Sequence, residues 1–174
     1  MTERGKNLVL IGFMGSGKTT IGLKLSYKLK MPVEDTDKMI EKQQGCSVSQ
    51  IFEQQGEPAF RKMETALLQE IAGREYGRIL SVGGGTPMKE ENRPLLKKCG
   101  QVIFLRARAD TIYKRLKGDT TRPLLQCENP QEKIQKLLEL RNPVYEECAD
   151  CVIDVDSSDL ESILEQILHY RREA

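Results

Sequence analysis

The segment from Asn7 to Lys30 constrains this chain more than any other. Asn7 to Ile11 (NLVLI) is a compact apolar run, and Gly12-Phe13-Met14-Gly15-Ser16-Gly17-Lys18-Thr19 follows in the pattern G-x-x-x-x-G-K-[ST]. Lys18 to Lys30 then places Ile21, Leu25 and Leu29 on one helical stripe. A strand apolar on both faces, a glycine-rich turn and a helix, in that order, belong to a parallel sheet. The turn has its own chemistry. Glycines let successive backbone N–H groups point inward as an anion nest, and the helix adds its positive N-terminal end. The Lys18 ammonium can then reach the outer phosphates of a nucleotide, and the Thr19 hydroxyl can ligate Mg²⁺. Gly15, Ser16, Gly17, Lys18, Thr19 and Thr20 are the candidate nucleotide-binding residues.

The same alternation of short apolar runs and helical segments continues to the end. Strands are predicted at Met31–Glu34, Arg78–Val82, Gln101–Leu105 and Cys151–Val155. Helices are predicted at Asp37–Gln44, Ser47–Gln55, Glu57–Tyr76, Glu90–Lys98, Asp110–Lys117, Pro130–Glu147 and Ser158–Arg172, with a kink or break at Pro143. Repeated strand–helix units predict a parallel sheet with helices on both faces. The 174 residues fit one domain with a core that needs no staples. With 27 basic and 26 acidic residues the net charge is +1, which demands neither nucleic acid nor an anionic membrane as partner. No apolar run approaches the roughly 18 residues of a membrane span, and Met1 to Lys6 lacks the features of a signal peptide. Five cysteines cannot all pair within the chain, which predicts a reducing, cytoplasmic compartment. Cys148 and Cys151 form one C-x-x-C, too few ligands for a structural zinc site.

Other residues collect where such a sheet binds ligands, beyond the carboxyl ends of its strands. Asp35 and Asp37 flank Thr36 after the second strand. One carboxylate there can hold the water shell of Mg²⁺, and the other can accept a hydroxyl proton or hold a polyol. Both also suit a helix start. Gly83-Gly84-Gly85, after the third strand, lets another group approach the backbone closely. Arg61, Arg122 and Arg141 lie outside simple surface contexts: after a Gly-Glu-Pro turn, before Pro123 in the polar stretch Asp119–Asn129, and within Leu140-Arg141-Asn142-Pro143-Val144-Tyr145.

Jointly, Gly12–Thr19, Asp35-x-Asp37, Phe60-Arg61-x-x-Glu64, Gly83-Gly84-Gly85, Arg122-Pro123-Leu124-Leu125 and Arg141-x-x-x-Tyr145 resemble shikimate kinase, over roughly Lys6 to Leu168. The resemblance implies a three-layer α/β/α P-loop NTPase fold with a five-stranded parallel sheet, like that of nucleoside monophosphate kinases. It implies a single kinase domain over 1–174, with an acceptor subregion near 35–63 and a lid near 112–127. The implied activity is ATP-dependent phosphorylation of the shikimate 3-hydroxyl, in aromatic amino acid biosynthesis, with ATP and Mg²⁺ and by a monomer.

Carried over residue by residue, Lys18 would contact the nucleotide phosphates, Thr19 would ligate Mg²⁺, and Asp35 would support the metal through water. Asp37 would hold shikimate hydroxyls and serve as base. Arg61 and Arg141 would clamp the carboxylate beside Gly83, Gly84 and Gly85. Arg122 would neutralise the transferring phosphate, and Arg115 would stack on adenine. Two departures stand out. The third strand ends without an acidic residue, which leaves the metal to Asp35. The loop Asp156-Ser157-Ser158-Asp159 lacks the proline often found in the family's adenine loop. Two rivals remain: another polyol-acid kinase such as gluconate kinase, and a nucleotide-binding module without catalysis.

Overall fold

The computed structural model describes residues 6–74, 76–119 and 125–173. Five parallel strands form one sheet in the order β2-β3-β1-β4-β5. They are β1 (Leu8–Ile11), β2 (Val33–Asp35), β3 (Ile79–Ser81), β4 (Gln101–Arg106) and β5 (Cys151–Asp154). β1 is central, in register with β3 from Leu8↔Ile79 and with β4 from Leu8↔Gln101. All four of its residues are fully buried, as the unbroken apolar run requires.

Strand side chains alternate between two cores. Leu8, Leu10, Ile79, Ile103, Leu105 and Ile153 point to one face. That face is covered by α1 (Lys18–Leu29), α6 (Ala109–Leu116) and α8 (Leu160–Glu173). Val9, Ile11, Leu80, Val102 and Phe104 point to the other face. There they meet α2 (Thr36–Gln44), α3 (Val48–Gln55), α4 (Glu57–Ile71) and α5 (Asn92–Cys99). The long helix α7 (Pro130–Cys148) serves both: Ile134 and Leu138 enter the first core, Tyr145 and Cys148 the second.

The helix starts follow local chemistry. Asp35 caps α2, and Ser47 with Gln50 forms a reciprocal capping box on α3. Four expectations are corrected. α4 ends at Ile71 rather than Tyr76, because Gly73 turns the chain at φ 77 and donates its N–H to Lys98 O. A 3₁₀ turn, Thr86–Met88, follows the triple glycine, and α5 starts at Asn92. α6 starts at Ala109 rather than Asp110, which lies in its first turn, and Asp156 accepts the Arg108 N–H from across the sheet end. α7 runs unbroken through Pro143, which lies on its exposed side. The carbonyl of Glu139, deprived of its usual donor, also belongs to an exposed residue.

Candidate active site

The loop after β1 turns at Gly12, Gly15 and Gly17, with φ of 150, 79 and 100. A methyl group on Gly12 would lie 2.7 Å from Leu105 O and 2.8 Å from Ser16 Oγ, so only glycine fits the first position. Lys18 curls over the loop and donates to Gly12 O at 2.7 Å and Phe13 O at 3.1 Å. Ser16 Oγ is buried with no hydrogen-bond partner. Thr19 and Thr20 are exposed at the start of α1. From α6, Arg115 donates to Gly15 O at 2.8 Å and so flanks the loop. Loop, Arg115, Asp35, Asp37, Gly83 and Gly84 share one cleft of about 690 Å³, bounded at its far end by Val155 and Ser158.

The second half of the site lies over the other core. Asp35 Oδ1 accepts from the backbone N–H groups of Asp37, at 2.9 Å, and Lys38, at 3.2 Å. The helix-start role and a place in the cleft therefore coincide. Asp37 Oδ1 is buried without a hydrogen-bond partner, facing Gly83. Burial, then the neighbouring Asp35 and Glu64 carboxylates, push Asp37 up from 3.8 to about 6, against the pull of Arg61.

Arg61 projects from the first turns of α4 and pairs with Glu64 at 2.8 Å and Glu57 at 3.1 Å. Burial works against its charge, but these carboxylates outweigh it and raise its affinity for the proton. A methyl on Gly85 would lie 2.6 Å from Arg61 Nη2, so the guanidinium rests directly on the glycine turn. Arg141, from α7, sits 5.4 Å from the centre of the Phe13 ring. A methyl on Gly84 would lie 3.6 Å from Arg141 Nη1 and 3.4 Å from Gly12 O. The triple glycine thus packs against both arginines and against the phosphate loop.

Gly15 to Thr20, Asp35, Asp37, Gly83, Gly84 and Arg115 line the cleft, whereas Arg61, Gly85 and Arg141 do not line it and join the site through the triple glycine. Arg122 lies outside the described residues. Sequence reasoning gave no role to Glu64, Thr86 or Tyr145. Glu64 is 2% exposed, with Arg61 on one oxygen and the Thr86 hydroxyl on the other at 2.6 Å. Tyr145 donates to Gly84 O at 2.6 Å. Helical spacing was the available signal: Glu64 follows Arg61 by one turn, and Tyr145 follows Arg141 by one turn.

Metal-ligand chemistry is sparse. Among the described residues no three His, Cys, Asp or Glu side chains converge as a cage. The Thr19 hydroxyl and the Asp35 carboxylate in the same cleft are oxygen donors of the kind a hard, hydrated cation takes. Burial pushes the Cys148 thiol up to about 11 and Cys151 in the same direction, which suppresses thiolate chemistry there.

The family model described as shikimate kinase matches residues 14–171. The chain belongs to the shikimate kinase family. A shikimate kinase of Thioalkalivibrio sulfidiphilus is 42% identical over 166 residues, covering 95% of this chain and 87% of that one. The structure of the shikimate kinase from Acinetobacter baumannii in complex with shikimate superposes with a TM-score of 0.88 at 36% identity, over 98% of this chain and 95% of that one. A gluconokinase from Sinorhizobium meliloti, at 17% identity and a TM-score of 0.61 over 97% of this chain and 92% of its own, shares the fold. This shikimate kinase is thus an ATP-using phosphotransferase of the P-loop architecture. Among its described residues no helix is long and apolar enough to cross a membrane.

Proposed function

We propose that the cleft binds ATP with its phosphates on the Gly12–Thr19 loop, and shikimate between Asp37, the triple glycine and the two arginines. The shikimate 3-hydroxyl is phosphorylated there, giving shikimate 3-phosphate and ADP. The packing of Arg141 on the loop residue Phe13 and beside Gly84 carries this reading. A guanidinium suited to a carboxylate stands next to an anion nest, as an acidic acceptor of a phosphoryl group requires.

Phosphoryl transfer asks a protein for positioning and charge stabilisation rather than covalent chemistry. Gly15, Ser16, Gly17 and Thr20 contribute the loop and helix start that hold the phosphates, and Lys18 stabilises charge on the moving group. Arg115 stacks on the adenine. Arg61 and Arg141 orient the acceptor through bidentate contact with its carboxylate. Gly83, Gly84 and Gly85 let the ring approach the backbone. Asp37, held near neutrality in its proton affinity, aligns the hydroxyl and takes its proton. Mg²⁺, when bound, neutralises charge on the nucleotide phosphates. Thr19 and Asp35 are the oxygen donors in the cleft that would hold it. Arg122 belongs to a lid of residues 112–127 and meets the transferring phosphate; the family motif supports this assignment. The 174-residue length supports one domain, the five cysteines a cytoplasmic compartment, the net charge of +1 a protein that engages neither nucleic acid nor membrane, and that charge with the family resemblance a monomer.

ADP release measured with a panel of hydroxy acids tests the reading. Turnover is expected with shikimate and absent with gluconate. Asp37→Asn is expected to lower kcat by about 10²-fold or more, in the range of a lost general base, with nucleotide affinity unchanged. Equal losses of turnover and nucleotide affinity contradict the placement of Asp37 at the acceptor. Nucleotide binding without acceptor-dependent turnover favours a silent module.

A further inference from the structure

Tyr145 is fully buried, in a helix that otherwise meets the site through Arg141, one turn earlier. Its ring is held against Phe104, centroids 5.0 Å apart. Its hydroxyl donates to Gly84 O at 2.6 Å, across 61 positions of sequence. A methyl on Gly84 would lie 3.5 Å from that hydroxyl and 3.6 Å from Arg141 Nη1, so phenol and guanidinium flank one backbone position. A phenol has one proton to donate, and here it goes to the glycine carbonyl. The hydroxyl therefore ties the glycine turn, and with it the surface on which the guanidinium packs, to one fixed ring. Phe13, 5.4 Å away, supports the guanidinium by its π face. Among the described residues Arg141 pairs with no carboxylate, unlike Arg61 with Glu57 and Glu64, so Phe13 and Gly84 set its direction.

We propose that Tyr145 is a positioning residue for acceptor binding: its hydroxyl registers Arg141 against Gly84, so that guanidinium and glycine backbone meet the acceptor carboxylate in one prearranged geometry. The inference rests on the reading of Arg141 as a carboxylate clamp. Without the hydroxyl, Gly84 O loses its donor and the turn against which Arg141 packs is no longer fixed, while the packing of the ring persists. The long flexible arginine then has to be ordered by the acceptor itself, which weakens acceptor binding and leaves the phosphate loop as it was.

Steady-state kinetics of Tyr145→Phe, Arg141→Ala and the double variant test this, with folding checked by thermal melting. Tyr145→Phe is expected to raise the shikimate KM about tenfold, with kcat and the ATP KM within about twofold of the parent. On the Arg141→Ala background the same change is expected to add less than about twofold, because the hydroxyl acts through that arginine. An unchanged shikimate KM, an equal rise in the ATP KM, or a full tenfold further loss in the double variant each overturns the proposal. Arg141→Ala with an unchanged shikimate KM overturns the clamp reading itself, a separate result. A second readout needs no Tyr145 variant. In ¹⁵N-labelled parent protein without acceptor, the Arg141 Nε–H signal, identified by its loss in Arg141→Ala, is expected to be resolved and protected from exchange. A signal averaged with those of exposed arginines overturns the proposal.

Discussion

Asp37 shares its corner of the cleft with the carboxylates of Asp35 and Glu64, and one of its own oxygens is buried without a hydrogen-bond partner. Its proton is therefore held to about pH 6 in the folded chain, against 3.8 for an ordinary aspartate. The consequence for stability has a definite sign. Below pH 3.8 the group is protonated whether the chain is folded or not, and it has no effect on the balance. Between there and about 6 the unfolded chain loses the proton first, so stability falls as pH rises through that window. Above it the ionised group costs the fold on the order of 3 kcal/mol. In protein free of nucleotide and metal, Asp37→Asn is expected to be the more stable chain at pH 7.5 by about that amount, with the gap closing by pH 4. Urea denaturation at the two pH values checks it. A group placed for chemistry rather than for stability is common in sites that shift proton affinities.

At the scale of elements, the acceptor end is built on a buried polar ring. Glu64 and Thr65 of α4 meet the turn and helix that follow the triple glycine. Thr86 gives its hydroxyl to Glu64, Asn92 donates to Thr86 O at 2.9 Å, and Thr65 donates to Asn92 Oδ1 at 2.8 Å. Asn92 is fully buried. Asn92→Ala leaves Thr86 O without its donor, while the Thr65 hydroxyl still reaches Arg61 O at 3.1 Å, and is expected to lower unfolding free energy by about 1–3 kcal/mol in urea titration. Sequence patterns do not reveal such a ring, because Thr65, Thr86 and Asn92 read as ordinary polar residues until the turn brings them together. The strands and most helices were legible: their periods of apolar residues are long and their glycine and serine boundaries are clear. The end of α4 was not, since Leu67, Leu68 and Ile71 keep the helical stripe going until Gly73 interrupts it. Nor was the continuity of α7, because exposure decides how a helix tolerates Pro143. The phosphate-loop residues were legible from glycine spacing, and Asp35 and Asp37 from their place at a strand end, whereas isolated arginines read as surface charge and Arg61, Arg115 and Arg141 drew their roles only from the family resemblance. Tyr145 and Glu64 needed contacts that spacing alone does not specify.

For the whole molecule, the loop that binds phosphate follows the central strand, so any ligand it holds is tied to the most buried part of the sheet. Ligand binding then reports on global stability. ADP at about 100 times its Kd is expected to add about 2.7 kcal/mol and raise Tm by roughly 5–10 °C. Lys18→Ala is expected to need far more ADP for the same shift, which a thermal-shift titration reads directly. The cleft also straddles the sheet: α1 and α6 flank its phosphate end over one core, and α2 and α4 build its acceptor end over the other. Among the helices of the described residues only α7 contributes to both. Mutational drift in one half therefore has little mechanical reach into the other. A lineage could remodel α2–α5 for a different alcohol while keeping the energy-donor half intact, so divergence in what is phosphorylated should be easier to evolve than divergence in what does the phosphorylating.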